Sequence, residues 1–206
     1  MNLVLMRHGQ TEWNQGERFT SSTDVPLSAE GRATVRAVAA HMKDLAIKRI
    51  VSSPSARAID TATVVNESLG LGAEIQVVQE LREVGFGDFE GRSKAELRAD
   101  PRTSTVLDDW FSPYGTGTTP PNAEPWQDAT VRAQAAIELL SDGPNTTLVV
   151  SHGYFLRLLI VQALELTPPQ AMRRLRLDNA SISALSNADG YWKLLFANVG
   201  ASRQIT

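Results

Sequence analysis

The residues of this chain that could do chemistry gather around two histidines. Arg7-His8-Gly9 follows the apolar run from Leu3 to Met6, and Ser151-His152-Gly153 follows the run from Thr146 to Val150. A guanidinium binds phosphate or carboxylate oxygens in a planar, bidentate manner. A neutral imidazole is a nucleophile, and a neighbouring arginine keeps it neutral by lowering the histidine pKa. These residue types predict a site that binds an anionic group and attacks it.

The positions of the two histidines strengthen this prediction. The chain has only three histidines, and two of them follow apolar runs typical of strands buried in a parallel sheet, whereas His41 lies in a predicted helix. Ligands of open α/β sheets bind beyond the carboxyl ends of the strands. Arg-His-Gly alone also fits an ordinary strand end. Its near repetition at His152 favours one cleft that both histidines reach.

An arginine and an acidic loop supply further candidates. Arg57 falls in the first turn of a predicted helix, directly after a serine-rich turn. Because a helix N-terminus attracts anions, an arginine there can add to phosphate binding. The glycine-rich loop over residues 80–91 again follows a predicted strand, and one of its carboxylates could be a general acid. The pattern alone does not choose among Glu80, Glu83, Asp88 and Glu90.

Hydrophobic periodicity predicts an α/β protein in which these residues follow strands. Strands are predicted at residues 3–6, 47–51, 75–78, 146–150, 181–186 and 192–196. Helices are predicted at residues 29–45, 56–69, 94–98, 104–111, 129–140 and 154–166. The last two strands are expected to form a hairpin around Asp189-Gly190, and the proline-rich stretch 112–125 is expected to be irregular.

Composition excludes several classes of protein. The 206 residues are 42% hydrophobic and 21% charged, with a net charge of −3, which argues against a general nucleic-acid surface. There is no cysteine, so disulfides, thiol nucleophiles and thiolate metal sites are excluded. No apolar run reaches the roughly 18 residues that a membrane span requires. The chain starts directly with a strand-like run, so a cytoplasmic protein is expected.

The ordered set of motifs resembles the histidine phosphatase superfamily, the phosphoglycerate-mutase-like family. The matching features are listed in chain order: Arg7-His8-Gly9 with Thr11 and Asn14, Arg57 after Ser-Ser-Pro, Glu83 before Gly-Asp-Phe-Glu-Gly, Ser151-His152-Gly153, and Asp178-Asn179-Ala180-Ser181. The resemblance implies a three-layer α/β/α sandwich with a mostly parallel central sheet. It also implies a single domain over residues 1–206, with residues 93–125 as a lid or specificity segment.

The resemblance also assigns roles to residues. His8 would be the nucleophile that becomes phosphohistidine, and Glu83 would be the general acid and base. Arg7, Arg57 and His152 would complete the catalytic set. Contacts to the substrate are expected from Arg7, Asn14, Thr20, Ser21, Arg57, His152 and Gly153. Many relatives have glycine where this chain has Ser21. The roles require no metal or other cofactor, since arginine and histidine supply the positive charge.

Three functions remain open at this level. The first is hydrolysis of a small phosphomonoester, and the second is a phosphoglycerate mutase. Mutases of this family carry a longer insertion with paired arginines, and here Arg98 and Arg102 are separated by Ala-Asp-Pro, so a phosphatase is favoured. The third is an inactive module that binds a phosphorylated ligand. The expected partner is a small phosphorylated metabolite, without nucleic acid or membrane, and the prediction leaves open a homodimer.

Overall fold

One six-stranded sheet organises the structure, a computed structural model that describes residues 1–112, 114–143, 146–168 and 170–202. The strands are β1 Asn2–Arg7, β2 Arg49–Ser52, β3 Ile75–Val77, β4 Thr146–Ser151, β5 Ile182–Ser186 and β6 Lys193–Val199. Their spatial order is β3-β2-β4-β1-β5-β6. The first four of these are parallel, and β5 and β6 are antiparallel to their neighbours. The prediction of a mostly parallel sheet is therefore confirmed.

Alternation along the strands divides the core into two layers. Leu3 and Leu5 of β1 face one side of the sheet, and Val4 and Met6 face the other, and all four are buried. Such continuous apolar strands are typical of parallel sheets covered on both faces. The helices that matter here are α1 Glu12–Gln15, α2 Ala29–Ala40, α3 Ala56–Leu69, α4 Lys94–Ala99, α5 Pro101–Phe111, α6 Trp126–Ser141 and α7 Gly153–Ala163.

The helices cover both faces of the sheet. Apolar residues of α2 and α3 pack in one core cluster with Val4 and Met6. Apolar residues of α5, α6 and α7 pack in the other cluster with Leu3 and Leu5. The result is the predicted three-layer α/β/α sandwich. Within the described residues, no helix has both the length and the apolar character needed to cross a membrane.

Two predicted helices end earlier than the periodicity indicated. The helix predicted over 29–45 is α2, which ends at Ala40 and is followed by a separate 3₁₀ turn at Lys43–Leu45. The helix predicted to reach Leu166 is α7, which ends at Ala163, and Glu165 has a φ of 55°. Left-handed backbone ends a helix while the apolar pattern continues. The second strand is shifted to Arg49–Ser52.

Helix α2 packs closely against the loop that follows β1. Its N-cap is Ser28, whose hydroxyl accepts a hydrogen bond from Gly31 N at 2.9 Å. A Cβ at Gly31 would collide with the backbone of Gln10, and a Cβ at Gly9 would lie 2.8 Å from Val35 Cγ2. Only glycine allows so close an approach. The loop carrying His8 is therefore held against a helix backbone.

The segment 93–125 contributes to packing as well as to the surface. It contains α4, α5 and the irregular stretch from residue 112, in which Pro113 lies outside the described residues. Trp110 is fully buried and stacks on Trp126 with ring centroids 4.8 Å apart. These two side chains pack the segment onto the body. A lid function for this segment stays a prediction.

Candidate active site

His8 follows directly on β1, and its backbone continues the pairing of that strand with β4. His8 N donates to Ser151 O at 2.9 Å. The ring is buried, and its Nδ1 lies 2.7 Å from Gly9 O. A carbonyl can only accept a hydrogen bond, so Nδ1 must carry the proton. The lone pair of the neutral ring is then on Nε2, so the ring can act as a nucleophile through that nitrogen.

Electrostatics keep His8 neutral. Its pKa lies well below the usual 6.5, first because burial disfavours the charged ring and then because Arg57 and Arg7 are close. A neutral imidazole retains the lone pair that an imidazolium lacks. The arginines that would bind an anion therefore also keep the adjacent ring in its nucleophilic form.

His152 occupies the corresponding position after β4 and is the N-cap of α7. Its Nε2 lies 2.6 Å from Ser53 Oγ and 3.0 Å from Ser55 Oγ. Its Nδ1 is buried and has no hydrogen-bond partner among the described residues. The His8 and His152 rings are 5.2 Å apart in an edge-on arrangement. Burial, and next the proximity of His8, lowers the His152 pKa well below 6.5.

The two arginines are anchored by backbone carbonyls rather than by carboxylates. Arg7 NH1 donates to Leu177 O at 2.7 Å. Arg57 is fully buried and donates to Thr23 O and Ser21 O, both at 2.9 Å. Glu83 lies near both charges, but neither guanidinium forms an ion pair with a carboxylate of the described residues, so each can still bind an anion. Burial lowers the Arg7 pKa to about 10, so both side chains remain charged at neutral pH.

Glu83 is the carboxylate of the acidic loop that reaches the site. It is 7% exposed, and its two oxygens accept hydrogen bonds from the first turn of α7, Phe155 N at 2.8 Å and Tyr154 N at 3.2 Å. Burial raises the Glu83 pKa, and the bonds from Val84, Tyr154 and Phe155 oppose that rise. A raised pKa favours a carboxyl that both gives and takes a proton during a reaction.

Asn14 is oriented so that its amide nitrogen remains available. Its Oδ1 accepts from Thr11 N at 3.1 Å and from Asn179 Nδ2 at 3.0 Å. No hydrogen bond to the described residues uses Asn14 Nδ2. Asn179 also donates to His8 O at 3.1 Å. Asn179 therefore couples the orientation of Asn14 to the backbone of His8.

A cleft of about 440 Å³ opens at this end of the sheet and contains most of the predicted site. Predicted residues that line it are Arg7, His8, Asn14, Thr20, Glu83 and Gly153. Arg57 and His152 are fully buried next to the cleft. Arg57 lowers the His8 pKa, and the His152 ring lies edge-on to the His8 ring. The structure thus brings together eight of the nine predicted residues, His8 and seven others.

Ser21 is the predicted residue that neither lines this cleft nor places its side chain against His8. Its backbone N and its hydroxyl donate to the Glu90 carboxylate, with Oγ–Oε2 at 2.6 Å. Its carbonyl accepts from Arg57. Glu90 also accepts from Thr23 N at 3.0 Å. Glu90 therefore shapes the loop whose carbonyls hold Arg57. A direct contact of Ser21 with a substrate stays a prediction.

Several supporting residues were missed by sequence reasoning. Ser53 and Ser55 were interpreted only as turn residues. Arg132, 8% exposed, pairs with Glu124 through Nε–Oε1 at 2.9 Å and NH2–Oε2 at 2.6 Å, and its NH1 donates to the carbonyls of Glu80 and Arg82. This pair fixes the loop that carries Glu83. The sequence signal that could have found Arg132 was the presence of an arginine on the apolar face of a predicted helix.

The arrangement has the parts needed for phosphoryl transfer. It combines a neutral imidazole nitrogen, two guanidinium groups anchored on backbone carbonyls, an amide donor and a buried carboxyl in and next to one cleft. Among the described residues, no group of three or more histidine or acidic side chains is arranged to hold a metal ion.

Comparison with known proteins agrees with this geometry. The family model for the histidine phosphatase superfamily (branch 1) matches residues 3–200. The chain belongs to the histidine phosphatase superfamily. It is also 34% identical over 197 residues, covering 93% of this chain and 87% of the relative, to a probable phosphoglycerate mutase, GpmB, of Escherichia coli O1:K1. The predicted family is therefore confirmed.

Solved structures of the superfamily have the same fold. The α-ribazole phosphatase of Shigella flexneri superposes with a TM-score of 0.84 at 27% identity, covering 97% of this chain and 96% of that one. A mycobacterial glucosyl-3-phosphoglycerate phosphatase complexed with VO3 gives a TM-score of 0.83 at 30% identity, covering 96% of this chain and 98% of that one. The phosphoglycerate-mutase-like fold is confirmed.

Proposed function

We propose that this protein is a phosphatase that hydrolyses a small phosphomonoester through a phosphohistidine at His8. The observation that carries the proposal is the hydrogen bond from His8 Nδ1 to Gly9 O. It leaves the Nε2 lone pair for attack beside two arginines without carboxylate partners. Phosphatase names among the similar solved structures support the same conclusion.

The first step transfers the phosphoryl group to the enzyme. His8 Nε2 attacks phosphorus, and the bond from phosphorus to the ester oxygen breaks. Glu83, in its protonated form, gives its proton to that oxygen, so the alcohol leaves neutral. Arg7, Arg57 and the Nδ1–H of His152 stabilise the phosphoryl oxygens, and Asn14 Nδ2 adds a hydrogen bond.

The second step returns the enzyme to its starting state. Glu83, now a carboxylate, takes a proton from water as the water oxygen attacks phosphorus. The bond from phosphorus to Nε2 breaks, inorganic phosphate leaves, and Glu83 is again protonated. A covalent intermediate divides one difficult displacement into two easier ones.

A mutase is the second candidate, because the 34% identical relative is named a probable phosphoglycerate mutase. A mutase must return the phosphoryl group to a phosphoglycerate rather than to water. The two arginines nearest the place of the insertion found in mutases do not favour mutase activity. Arg102 is 88% exposed and paired with Asp100, and neither it nor Arg98 lines the cleft.

The test is chemical trapping during turnover. The protein is mixed with an aryl phosphate labelled with radioactive phosphorus and quenched rapidly. We expect acid-labile, base-stable label on His8, stoichiometric phosphate release, and no transfer to added phosphoglycerate. Turnover without any trapped label, or label retained in His8→Ala, would refute the covalent role of His8. Release mainly as phosphoglycerate isomers would favour the mutase.

Metal removal provides an independent check. Arg7 and Arg57 supply the positive charge at the phosphoryl group, so excess chelator should leave the hydrolysis rate unchanged. A loss of activity that one divalent metal restores would contradict this account.

A further inference from the structure

The cleft beside His8 is lined by more positive charge than the phosphoryl group requires. Its cationic lining residues are Arg7, Arg18, Lys94, Arg157 and Arg176. Three of them already have carboxylate partners: Arg18 with Glu96 at 3.2 Å, Lys94 with Glu17 at 3.3 Å, and Arg176 with Asp178 at 2.9 Å. Arg7 belongs to the phosphoryl site. Arg157 remains to be explained.

Arg157 is held in place without being neutralised. Its Nε donates to Gly153 O at 2.9 Å, and its guanidinium lies over the Tyr154 ring, 4.2 Å from the centroid. No carboxylate of the described residues forms an ion pair with it. A guanidinium anchored at Nε and stacked on an aromatic ring presents its two terminal nitrogens as a fixed fork. Such a fork matches the oxygens of a carboxylate or a phosphate.

Arg157 lies a short distance from the phosphoryl site. Both Arg7 and Arg157 contact Gly153: a Cβ at that glycine would lie 3.1 Å from Arg7 Nε, and its carbonyl accepts from Arg157. Burial, the nearby Glu83 and the charge of Arg157 all act on the Arg7 pKa, which agrees with this proximity. The two guanidinium groups therefore flank one residue at the start of α7.

The cleft also has aromatic walls. Phe86, Phe111 and Tyr154 line the cleft with aromatic surface, and Tyr154 also carries Arg157. An uncompensated cation in a partly buried cleft is unfavourable until an anion pairs with it. A substrate with an anion at each end would pair with both the phosphoryl site and Arg157.

We propose that Arg157 determines specificity by binding a second anionic group, a carboxylate or a second phosphate, on the leaving group of the substrate. This inference rests on the proposed phosphatase function and names its substrate class: small phosphomonoesters whose alcohol carries an anion. Neutral sugar or polyol phosphates leave Arg157 without a partner and are poorer substrates.

The test compares matched substrates on the unaltered protein. A series of phosphorylated hydroxy acids of increasing chain length is assayed, each against its neutral amide, and a parallel series of diol bisphosphates is assayed against the monophosphates. We expect at least one acid or bisphosphate to exceed its neutral partner in kcat/KM by roughly 10- to 100-fold. If no member exceeds its neutral partner, the inference is wrong, whether or not any variant folds.

Variants then assign the preference to one side chain. Arg157→Gln should abolish the preference, because kcat/KM of the charged esters falls, mainly through KM, toward that of their neutral partners. Arg157→Lys should retain part of the preference, because the charge remains without the fork. Arg176→Gln is the matched control: it removes an equal charge from the same cleft at a residue already paired with Asp178, and the preference should persist. A preference lost equally in Arg176→Gln would indicate general cleft charge and overturn the assignment.

The two proposals fail in different ways. If the phosphatase proposal is wrong, neither charged nor neutral esters are hydrolysed through a trapped phosphohistidine. If only the specificity inference is wrong, the aryl phosphate is turned over and label is trapped on His8, but the charged and neutral esters react equally.

Discussion

The ends of β1 and β4 have the same local sequence pattern, but their histidines are hydrogen-bonded through different ring nitrogens. Each strand leads into a His-Gly pair, and the two strands are parallel neighbours, with Arg7 opposite Ser151. His8 is fixed through Nδ1 by a carbonyl, and His152 is fixed through Nε2 by two hydroxyls. The free nitrogen is therefore Nε2 in the first ring and Nδ1 in the second.

The difference shows that the role of a histidine depends on its partner. A carbonyl accepts only, so it forces a proton onto His8 Nδ1 and a lone pair onto Nε2. A hydroxyl can donate, so Ser53 and Ser55 can satisfy a bare Nε2 of His152, and the proton of that neutral ring is then on Nδ1. In the proposed mechanism the first ring attacks and the second donates a hydrogen bond.

The largest expected effect separates the two rings directly. His8→Ala should lower kcat by about 10⁴-fold or more, because the covalent route is lost. His152→Ala should lower it by roughly 10²- to 10³-fold, the usual loss for one donor to a transition-state oxyanion. Rapid-quench labelling checks the distinction: label should be absent in His8→Ala and present in His152→Ala. Equal label in both variants would show that the rings do not differ in role.

The next effect tests the carboxyl that serves the first ring. Glu83→Gln should slow alkyl phosphates by roughly 10²- to 10⁴-fold in single-turnover phosphorylation, because the poor leaving group needs a proton. Aryl phosphates should be slowed much less in that step and should show a burst followed by a slow steady state. Glu80→Gln provides the matched control in the same loop. Equal slowing of alkyl and aryl esters would exclude Glu83 as the acid.

A smaller effect concerns the hydroxyls behind the second ring. Ser53→Ala should lower kcat by roughly 10-fold, because the 2.6 Å contact that orients His152 is lost. Ser55→Ala should lower kcat by a smaller factor. The double variant should approach His152→Ala, and adding either serine change to His152→Ala should have little further effect. Full additivity with His152→Ala would mean that the serines act elsewhere. Ser68→Ala, whose hydroxyl bonds to Val64 O within α3, serves as the control.

The smallest effect is on stability against pH. The folded-state pKa values of His8 and His152 lie below the ordinary 6.5, so the folded state binds fewer protons than the unfolded state. Their contribution is fully present above about pH 6.5 and is lost as the pH falls below it, by up to about 1.4 kcal/mol per pH unit for each histidine.

Urea unfolding between neutral and mildly acidic pH measures this contribution. His8→Gln and His152→Gln should each show a shallower loss of unfolding free energy than the unaltered protein, because glutamine does not titrate. His41→Gln, at the end of α2 outside the site, is the control. If the slopes of all four proteins coincide, the buried rings are not neutral.

Sequence reasoning identified most of the fold because apolar runs and turn residues mark strands well. Helix α3 was predicted with its observed bounds, since Gly70 ends it in a left-handed conformation. The ends of α2 and α7 were missed because amphipathic spacing continues past them. For the site, the motifs selected His8, Arg57 and Glu83, which the fold brings together.

The supporting contacts could not be predicted because they join residues far apart in the chain. Ser53 meets His152 across 99 positions, and Asn179 meets Asn14 across 165. A serine in a turn looks the same whether or not a histidine lies above it. Arg157 was likewise hidden within an apolar helix, and only the fold shows that it lines the same cleft as His8.

Strands β4 and β1, which lead into the two histidines, lie in the middle of the sheet. Local opening of a fold starts at its edges, here β3 and β6, and at its surface segments, and the central strands open last. The backbone amide of His8, which donates to Ser151 O, should therefore exchange with solvent among the slowest in the chain. Lys94 and Phe111, on the peripheral wall of the cleft, belong to helices α4 and α5. Substitutions in these helices can change the cleft without loosening the central strands. New leaving groups can be accommodated there while the histidines keep their places.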